Sequence, residues 1–362
     1  MIIGIDASRA ITKQRTGTEK YSRDLIFELS KIDIKNQYRL YVGPNYDGSF
    51  DTLPKNFSVK MINRRKFWTL IGLTSEMVRN KPDVLFVPSH VLPIVTPKQS
   101  IVTIHDLAWK HFPGAYSKEE INLNDTGIKR AIKKNAKIIV YSKSTLTDLK
   151  RYYKIRENLI NFVPMGFNCL KGAGTLNNNV EKLASEKYIL SVGRIELKKN
   201  IVNLIKAYNM LRSERKIKHK LILVGKPGFG YDQIKKEIDS SKFKEDIIET
   251  GFVTDAERDF LYEKAEIFAF PSSFEGFGYP ILEAFSAGVP VVTSKTSSMP
   301  EVAGKGAILV DPKKPFEIAA AMSQIINKPE VREKLVRAGS KELKNYCWEN
   351  CAKETLRVLE SK

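Results

Sequence analysis

The 362-residue sequence predicts an α/β protein made of two doubly wound, Rossmann-like domains facing across a cleft. Three observations carry that prediction. The length exceeds what one core ordinarily organises, at roughly 100–200 residues per domain. Short apolar, β-branched runs alternate with amphipathic stretches of helical period, the pattern of parallel βαβ units. The alternation is interrupted once, at residues 166–185, where glycine and asparagine replace any apolar period.

The first series opens with the run Met1–Asp6, followed by the loop Ser8–Thr18 and a helix over Glu19–Leu29. Strands are expected at Tyr38–Val42, at Val84–Pro88 (VLFVP) and at Ser100–Ile104, which ends on His105-Asp106. A helix over Glu119–Ala136 leads to a strand at Lys137–Tyr141. A helix over Ser144–Tyr152 follows, with Ser142 or Ser144 as its cap, and Asn161–Pro164 closes this half.

Gly172-Ala173-Gly174 and Asn177-Asn178-Asn179 mark an interdomain linker over residues 169–186. The second series has strands at Tyr188–Val192, Lys220–Val224, Ile247–Glu249, Ile267–Phe270, Val289–Thr293 and Ala307–Val310. Between them lie helices over Asn203–Leu211, Tyr231–Ser240, Asp255–Ala265 (capped by Thr254 or Asp255) and Pro280–Ala287. The last of these opens on proline and stops at Gly288, the favoured residue at each end. Helices over Phe316–Asn327, Pro329–Asn345 and Trp348–Glu360 complete the chain. The domains are thus 1–168 and 187–346, with residues 347–362 left as a terminal helix.

Composition narrows the class. Hydrophobic residues at 42% and charged residues at 28% exclude gross disorder. The absence of an uninterrupted run of about 18 apolar residues excludes a transmembrane helix. MIIGID carries no basic n-region before an apolar stretch, so a cytoplasmic protein is expected. Three cysteines argue against a disulfide scaffold, and Cys347 and Cys351, one helical turn apart, read as small apolar helix residues.

The net charge of +19 is uneven: residues 1–170 hold 28 Lys/Arg against 15 Asp/Glu, and residues 171–362 hold 32 against 26. A basic first half points to an anionic partner.

Chemistry concentrates in a few segments. Pro271–Gly288 (PSSFEGFGYPILEAFSAG) follows a strand, where open α/β folds bind ligands. Gly276 and Gly278 allow close backbone approach, and the helix from Pro280 points its N–H groups at an anion, most simply phosphate. Glu275 in the loop and Glu283 in the first helical turn would repel that anion unless they face neutral hydroxyls. A glycosyl group and a ribose flanking a diphosphate satisfy this condition.

Val192–Asn200 (VGRIELKKN) also follows a strand, so Arg194 and Lys199 are placed to neutralise a departing diphosphate. There is no Asp-x-Asp pair for a divalent ion, a task two fixed cations would take over. His105, at a strand end, either bonds a sugar hydroxyl or plays a structural part. Gly17, before the first helix, suits approach of a phosphate or an acceptor. Arg64-Arg65-Lys66-Phe67-Trp68 with Leu70–Leu73 has two readings, an interfacial membrane patch and an amphipathic helix with a solvated basic face.

With these residues in view, the chain resembles family-4 glycosyltransferases of the GT-B fold over nearly its whole length. The family's paired glutamates, seven residues apart, match Glu275 and Glu283 in EGFGYPILE. Its Arg…Lys pair matches Arg194 and Lys199, and its acceptor-domain histidine matches His105 in TIHDLAW. Its N-terminal glycine loop corresponds to Gly17, where this chain has one glycine instead of the commoner pair.

The resemblance implies retaining hexose transfer from a nucleotide-diphosphate sugar, without cofactor or essential metal. The donor would lie on the second domain and the acceptor on the first. Arg194 and Lys199 would hold the diphosphate, Glu283 the ribose and Glu275 the sugar hydroxyls; main chain near Phe252-Val253 would hold the base. Gly276, Phe277 and Gly278 would line the donor loop, and His105 would contact the hexose. The terminal helix Trp348–Glu360 would cross back to the first domain.

The stretch IHDLAWKHFPGAY resembles a mannosyltransferase-like branch of bacterial surface polysaccharide (lipopolysaccharide) synthesis, which favours GDP-mannose over a UDP-sugar. The expected acceptor is a glycan or polyprenyl-diphosphate-linked oligosaccharide, at the inner face of the plasma membrane. An anionic membrane surface is the matching partner, and nucleic acid is not expected.

Rival readings stand beside this one. Sugar-nucleotide 2-epimerases share the fold and need no acceptor. A nucleic-acid binder would account for the charge, but no recognised binding motif accompanies it. A nicotinamide enzyme is disfavoured, because Gly225, Gly228 and Gly230 fall in the wrong order for G-x-G-x-x-G.

Overall fold

The computed structural model describes residues 1–12, 17–170, 174–215 and 217–361. The chain forms two compact units. One comprises Met1–Leu107, Tyr116–Gly166 and Tyr346–Lys362; the other comprises Ala108–Ala115 and Phe167–Asn345.

The first unit contains a seven-stranded sheet: β1 (Ile2–Asp6), β2 (Gln37–Val42), β3 (Phe57–Met61), β4 (Val84–Val87), β5 (Gln99–Thr103), β6 (Lys137–Val140) and β7 (Ile160–Phe162). All pairings are parallel and the order is β3-β2-β1-β4-β5-β6-β7. The helices run in chain order through both units. They are α1 (Gly17–Ile32), α2 (Thr74–Arg79), α3 (Ala108–His111), α4 (Lys118–Lys133), α5 (Lys143–Tyr152), α6 (Asn178–Leu183) and α7 (Ile201–Arg215). They continue as α8 (Tyr231–Asp239), α9 (Asp255–Lys264), α10 (Tyr279–Ser286), α11 (Met299–Ala303), α12 (Pro315–Asn327), α13 (Pro329–Glu342) and α14 (Trp348–Glu360).

The second unit contains a parallel six-stranded sheet in the order β10-β9-β8-β11-β12-β13. Its strands are β8 (Tyr188–Val192), β9 (Lys220–Val224), β10 (Ile247–Gly251), β11 (Ile267–Phe270), β12 (Val291–Ser294) and β13 (Ala307–Val310). Both orders reverse direction beside their first strand. That reversal opens a ligand crevice at the carboxyl ends, between β1 and β4 and between β8 and β11.

The elements follow local chemistry. VLFV in β4 and IFAF in β11 are buried on both faces, as parallel strands require. Ser142 caps α5 by accepting from the Thr145 amide at 3.1 Å. Thr254 caps α9 in a reciprocal box with Glu257.

Strand β3 was not expected. FSVKM exposes most of its side chains and shows little apolar signal, yet Phe57 stacks on Tyr38 of β2 at 4.2 Å and joins the sheet edge. The expected linker carries α6, begun by Asn177 accepting from the Asn179 amide, while Gly172-Ala173 lie outside the described residues.

Helix α14 packs against α1 within the first unit. Its buried stripe (Trp348, Cys351, Ala352, Thr355, Val358, Leu359) recurs at helical spacing. Cys351 is buried, and burial pushes its thiol up to about 12; Cys347 is exposed and precedes the helix. Among the described residues no helix is long and apolar enough to cross a membrane.

Candidate functional site

In the second unit the loops after β8 and β11 leave the two strands that flank the reversal. Gly193 (φ +139°) turns the chain out of β8, a conformation other residues rarely adopt. Its amide donates to Val224 O at 2.9 Å, and Ile195 N donates to Lys226 O at 3.0 Å. The loop is therefore braced against Gly225–Gly228. Arg194 is exposed there, and the Lys199 stem lies over Gly193.

Lys199 and Glu275, 76 residues apart in sequence, meet at 2.5 Å. Both side chains are largely buried, and the ammonium stands 5.1 Å from the centroid of the Phe270 ring. The structure thus unites a cation and a carboxylate that the sequence placed in separate motifs.

The Glu275 loop is held from the loop after the next strand, β12, by Ser297 and Ser298. Ser298 Oγ donates to Glu275 O at 2.9 Å and to Phe277 O at 2.5 Å. Ser297, in a left-handed conformation (φ +55°), donates to Glu275 O and accepts from Glu275 N. Sequence reading missed both serines. Their available signal was the hydroxyl-rich run Ser294–Ser298 after a strand. The segment Ala108–Ala115, within the stretch IHDLAWKHFPGAY, belongs to the second unit, and its His111 ring stacks on Phe274 at 4.3 Å.

Helix α10 starts at Tyr279, with Gly278 at its N-cap in the left-handed region (φ +111°) and Pro280 second. Its first turn carries no acidic residue. The expectation that Glu283 lies in the first turn is therefore corrected: it is the fifth helical residue. Its carboxylate accepts from Tyr262 Oη at 3.0 Å and lies 3.8 Å from Arg258 Nε. Burial works against the Arg258 charge, but Glu283, Asp259 and Asp255 outweigh it and hold the guanidinium firmly protonated. The Glu283 charge is matched from α9, so it does not oppose an anion at the α10 N-terminus.

Gly276 and Phe277 are buried within the loop. Val253 is partly buried ahead of the Thr254 cap, and Phe252 is 62% exposed beneath the Lys226 ammonium.

In the first unit His105 is buried, with Nδ1 2.7 Å from Tyr141 Oη and Nε2 3.0 Å from Pro88 O. A carbonyl only accepts, so Nε2 carries the proton and Nδ1 accepts from tyrosine. Burial holds this ring below the ordinary histidine pKa. The sequence left His105 between two roles. Its geometry is that of a neutral, internally bonded ring, and a sugar contact requires exchange of one partner.

Burial and the neighbouring His105 hold His90 lower still. Both rings refuse protons that the unfolded chain accepts near pH 6.5. Folding stability is accordingly expected to fall as pH drops below about 6.5. Urea denaturation at pH 7.5 and 5.5 checks this, and His105→Gln should flatten the dependence.

Gly17 is the first residue of α1, and a Cβ there would meet open space, so packing does not demand glycine. Arg15 and Thr16 of the same motif lie outside the described residues. The Arg64–Leu73 segment is no simple amphipathic helix. Trp68–Leu73 is a π-helical turn, and Arg64, Arg65, Phe67 and Trp68 line a cavity of about 1610 Å³ in this unit.

Residues 175–342 match the family described as glycosyl transferases group 1. The chain is 26% identical, over 97% of its own length and 98% of the other's, to O-antigen chain mannosyltransferase B of Escherichia coli. It superposes on WaaG, a glycosyltransferase involved in lipopolysaccharide biosynthesis, with a TM-score of 0.74 at 11% identity, covering 100% of both chains. HepE of Anabaena, solved with UDP-glucose, gives 0.73 at 18% identity over 100% of this chain and 99% of that one. The fold is of the GT-B class that the motifs predicted.

Proposed function

We propose that this chain, which carries a glycosyl transferases group 1 domain over residues 175–342, is a retaining hexosyltransferase. It moves mannose from a nucleotide-diphosphate sugar, GDP-mannose before a UDP-sugar, to a glycan acceptor in surface-polysaccharide synthesis. The observation that carries the reading is the Lys199–Glu275 pair at 2.5 Å, where the loops after β8 and β11 meet. A cation for the diphosphate and a carboxylate for sugar hydroxyls are thereby held as one unit. The full-length similarity to an O-antigen mannosyltransferase supports the sugar.

In this reading Arg194 and Lys199 bind the diphosphate, with the α10 amides behind Gly278. Glu275 takes the sugar hydroxyls, Glu283 the ribose, and main chain at Val253 the base. Gly276 and Phe277 shape the donor loop, and His105 and Gly17 serve the hexose and the acceptor side. The C1–O bond of the donor breaks with its electron pair going to the diphosphate. The acceptor oxygen bonds C1 on the same face, and its proton passes to the departing phosphate oxygen. Positioning and charge stabilisation supply the rate. No metal is required, since two side-chain cations meet the leaving charge.

The acceptor class is a lipid-linked oligosaccharide, at an anionic inner membrane surface. Its support is the basic first half and the exposed Ile71 and Val78 near Arg64, Arg65, Lys66 and Arg79.

A melting series with GDP, UDP, ADP and their sugar conjugates, without metal and then with magnesium, tests the donor site. A nucleotide at 100 times its Kd stabilises by about 2.7 kcal/mol. The expected result is one responding base without metal. Silence from every nucleotide would overturn the reading, and sugar-nucleotide conversion without an acceptor would favour the epimerase.

A further inference from the structure

The cavity of about 1610 Å³ lies at the carboxyl edge of the seven-stranded sheet. Asp6 ends β1, Gly43 follows β2, Arg64 follows β3 and Ser89 follows β4, and all four line it. This is the reversal point of the first sheet, where open α/β folds take ligands. The volume exceeds the roughly 300–1,000 Å³ of small-ligand pockets, which suits an extended ligand.

Phe67 on its wall is unusual in two ways. Its backbone is left-handed (φ 53°, ψ 40°), an outlier for a bulky side chain, and the residue is 66% exposed. It opens the π-helical turn Trp68–Leu73, a rare element common at functional sites. Backbone strain and an exposed phenyl ring at one residue persist only where the surroundings impose them, most often at ligand sites. The next residue ties this turn to the sheet: Trp68 Nε1 donates to Asp6 Oδ1 at 3.1 Å, and Ser8 N donates to the same oxygen. Asp6 is 3% exposed, so its position is fixed.

The wall chemistry selects the ligand. Among the described lining residues four arginines are matched by four carboxylates, so neither an anion nor a cation is favoured. Arg9 pairs with Glu19 at 3.2 Å, which neutralises one charge of each sign, and Arg130 is oriented by donating to Leu92 O at 2.8 Å. Aromatic rings beside a balanced polar rim suit a molecule with an apolar face and a hydroxyl edge, which is a pyranose.

We infer that Phe67 and Trp68 form the stacking platform for the acceptor's sugar rings, with Asp6 accepting a bond from a hydroxyl beside them. This rests on the glycosyltransferase reading and adds the specificity-determining residues of its acceptor. The strain at Phe67 is then a cost maintained for binding.

The test uses the full chain and a panel of methyl glycosides and disaccharides of the common hexoses, mannobiose included, titrated calorimetrically. At least one saccharide is expected to bind. Phe67→Ala should weaken it about 3–10-fold, and Phe67→Trp should retain it. Phe67→Gly should weaken it while raising the melting temperature, because glycine relieves the left-handed strain. Nucleotide-induced melting shifts should be the same in all variants, which separates this inference from the donor reading.

Saccharide binding unaffected by Phe67→Ala would overturn the inference, as would a wild type that binds nucleotide but no saccharide. Loss of binding to phosphatidylglycerol vesicles in Phe67→Ala, with saccharide binding intact, would assign the ring to a bilayer instead.

Discussion

Lys199→Ala is expected to lower kcat for sugar transfer about 100-fold or more, the scale of losing one preorganised charge-stabilising donor. In the proposed reaction the ammonium meets the charge that grows on the leaving diphosphate. Its removal also leaves Glu275, with a side chain only 11% exposed, without its 2.5 Å partner. An uncompensated, mostly buried carboxylate costs stability of order 1–3 kcal/mol. Two effects therefore have to be separated. Lys199→Arg keeps the charge and should recover part of the rate. Glu275→Gln in the Lys199→Ala background should restore melting temperature without restoring turnover. A folded Lys199→Ala enzyme with near-normal kcat would remove Lys199 from the chemistry.

Gly166→Ala is expected to cause a large loss of stability from a single added methyl. A Cβ at this position would stand 2.1 Å from Trp348 Cδ2 and 2.5 Å from Cε3. The indole cannot yield cheaply: it is 6% exposed and packs 6.2 Å from the Tyr21 ring on α1. Overpacking of this kind costs about 1–3 kcal/mol, and a contact this short belongs at the upper end or beyond. The melting temperature should drop by several degrees, with α14 loosening from α1. Trp348→Ala, itself destabilising, should abolish most of the additional effect of Gly166→Ala, because the two residues share one volume. Equal costs in both backgrounds would show that the clash is not what limits this site.

Much of the candidate site in the second unit could be read from the sequence because its signals are local. Apolar strands ended at Val192 and Phe270, and the glycines, cations and carboxylates followed at once. Strand position in a parallel fold then sends those loops to one edge. Glu283 was misplaced by one position because Tyr279, not Pro280, starts α10, and helix starts are set by the backbone as much as by proline. Strand β3 escaped because an edge strand with exposed side chains has no apolar alternation. His105 could be found but not interpreted, since its partners Tyr141 and Pro88 are 36 and 17 residues away.

The sequence alone determined the α/β class, the two alternating series and the residue types at the strand ends. Periodicity and turn chemistry act over a few residues, and both are written in order along the chain. Only the tertiary structure decided which of those strand ends become neighbours. It brought Lys199 to Glu275, Tyr262 to Glu283, Ser298 beneath Phe277 and Trp68 to Asp6. Each of these pairs depends on sheet order and burial, which arise from the packing of the whole unit, and no local pattern encodes them.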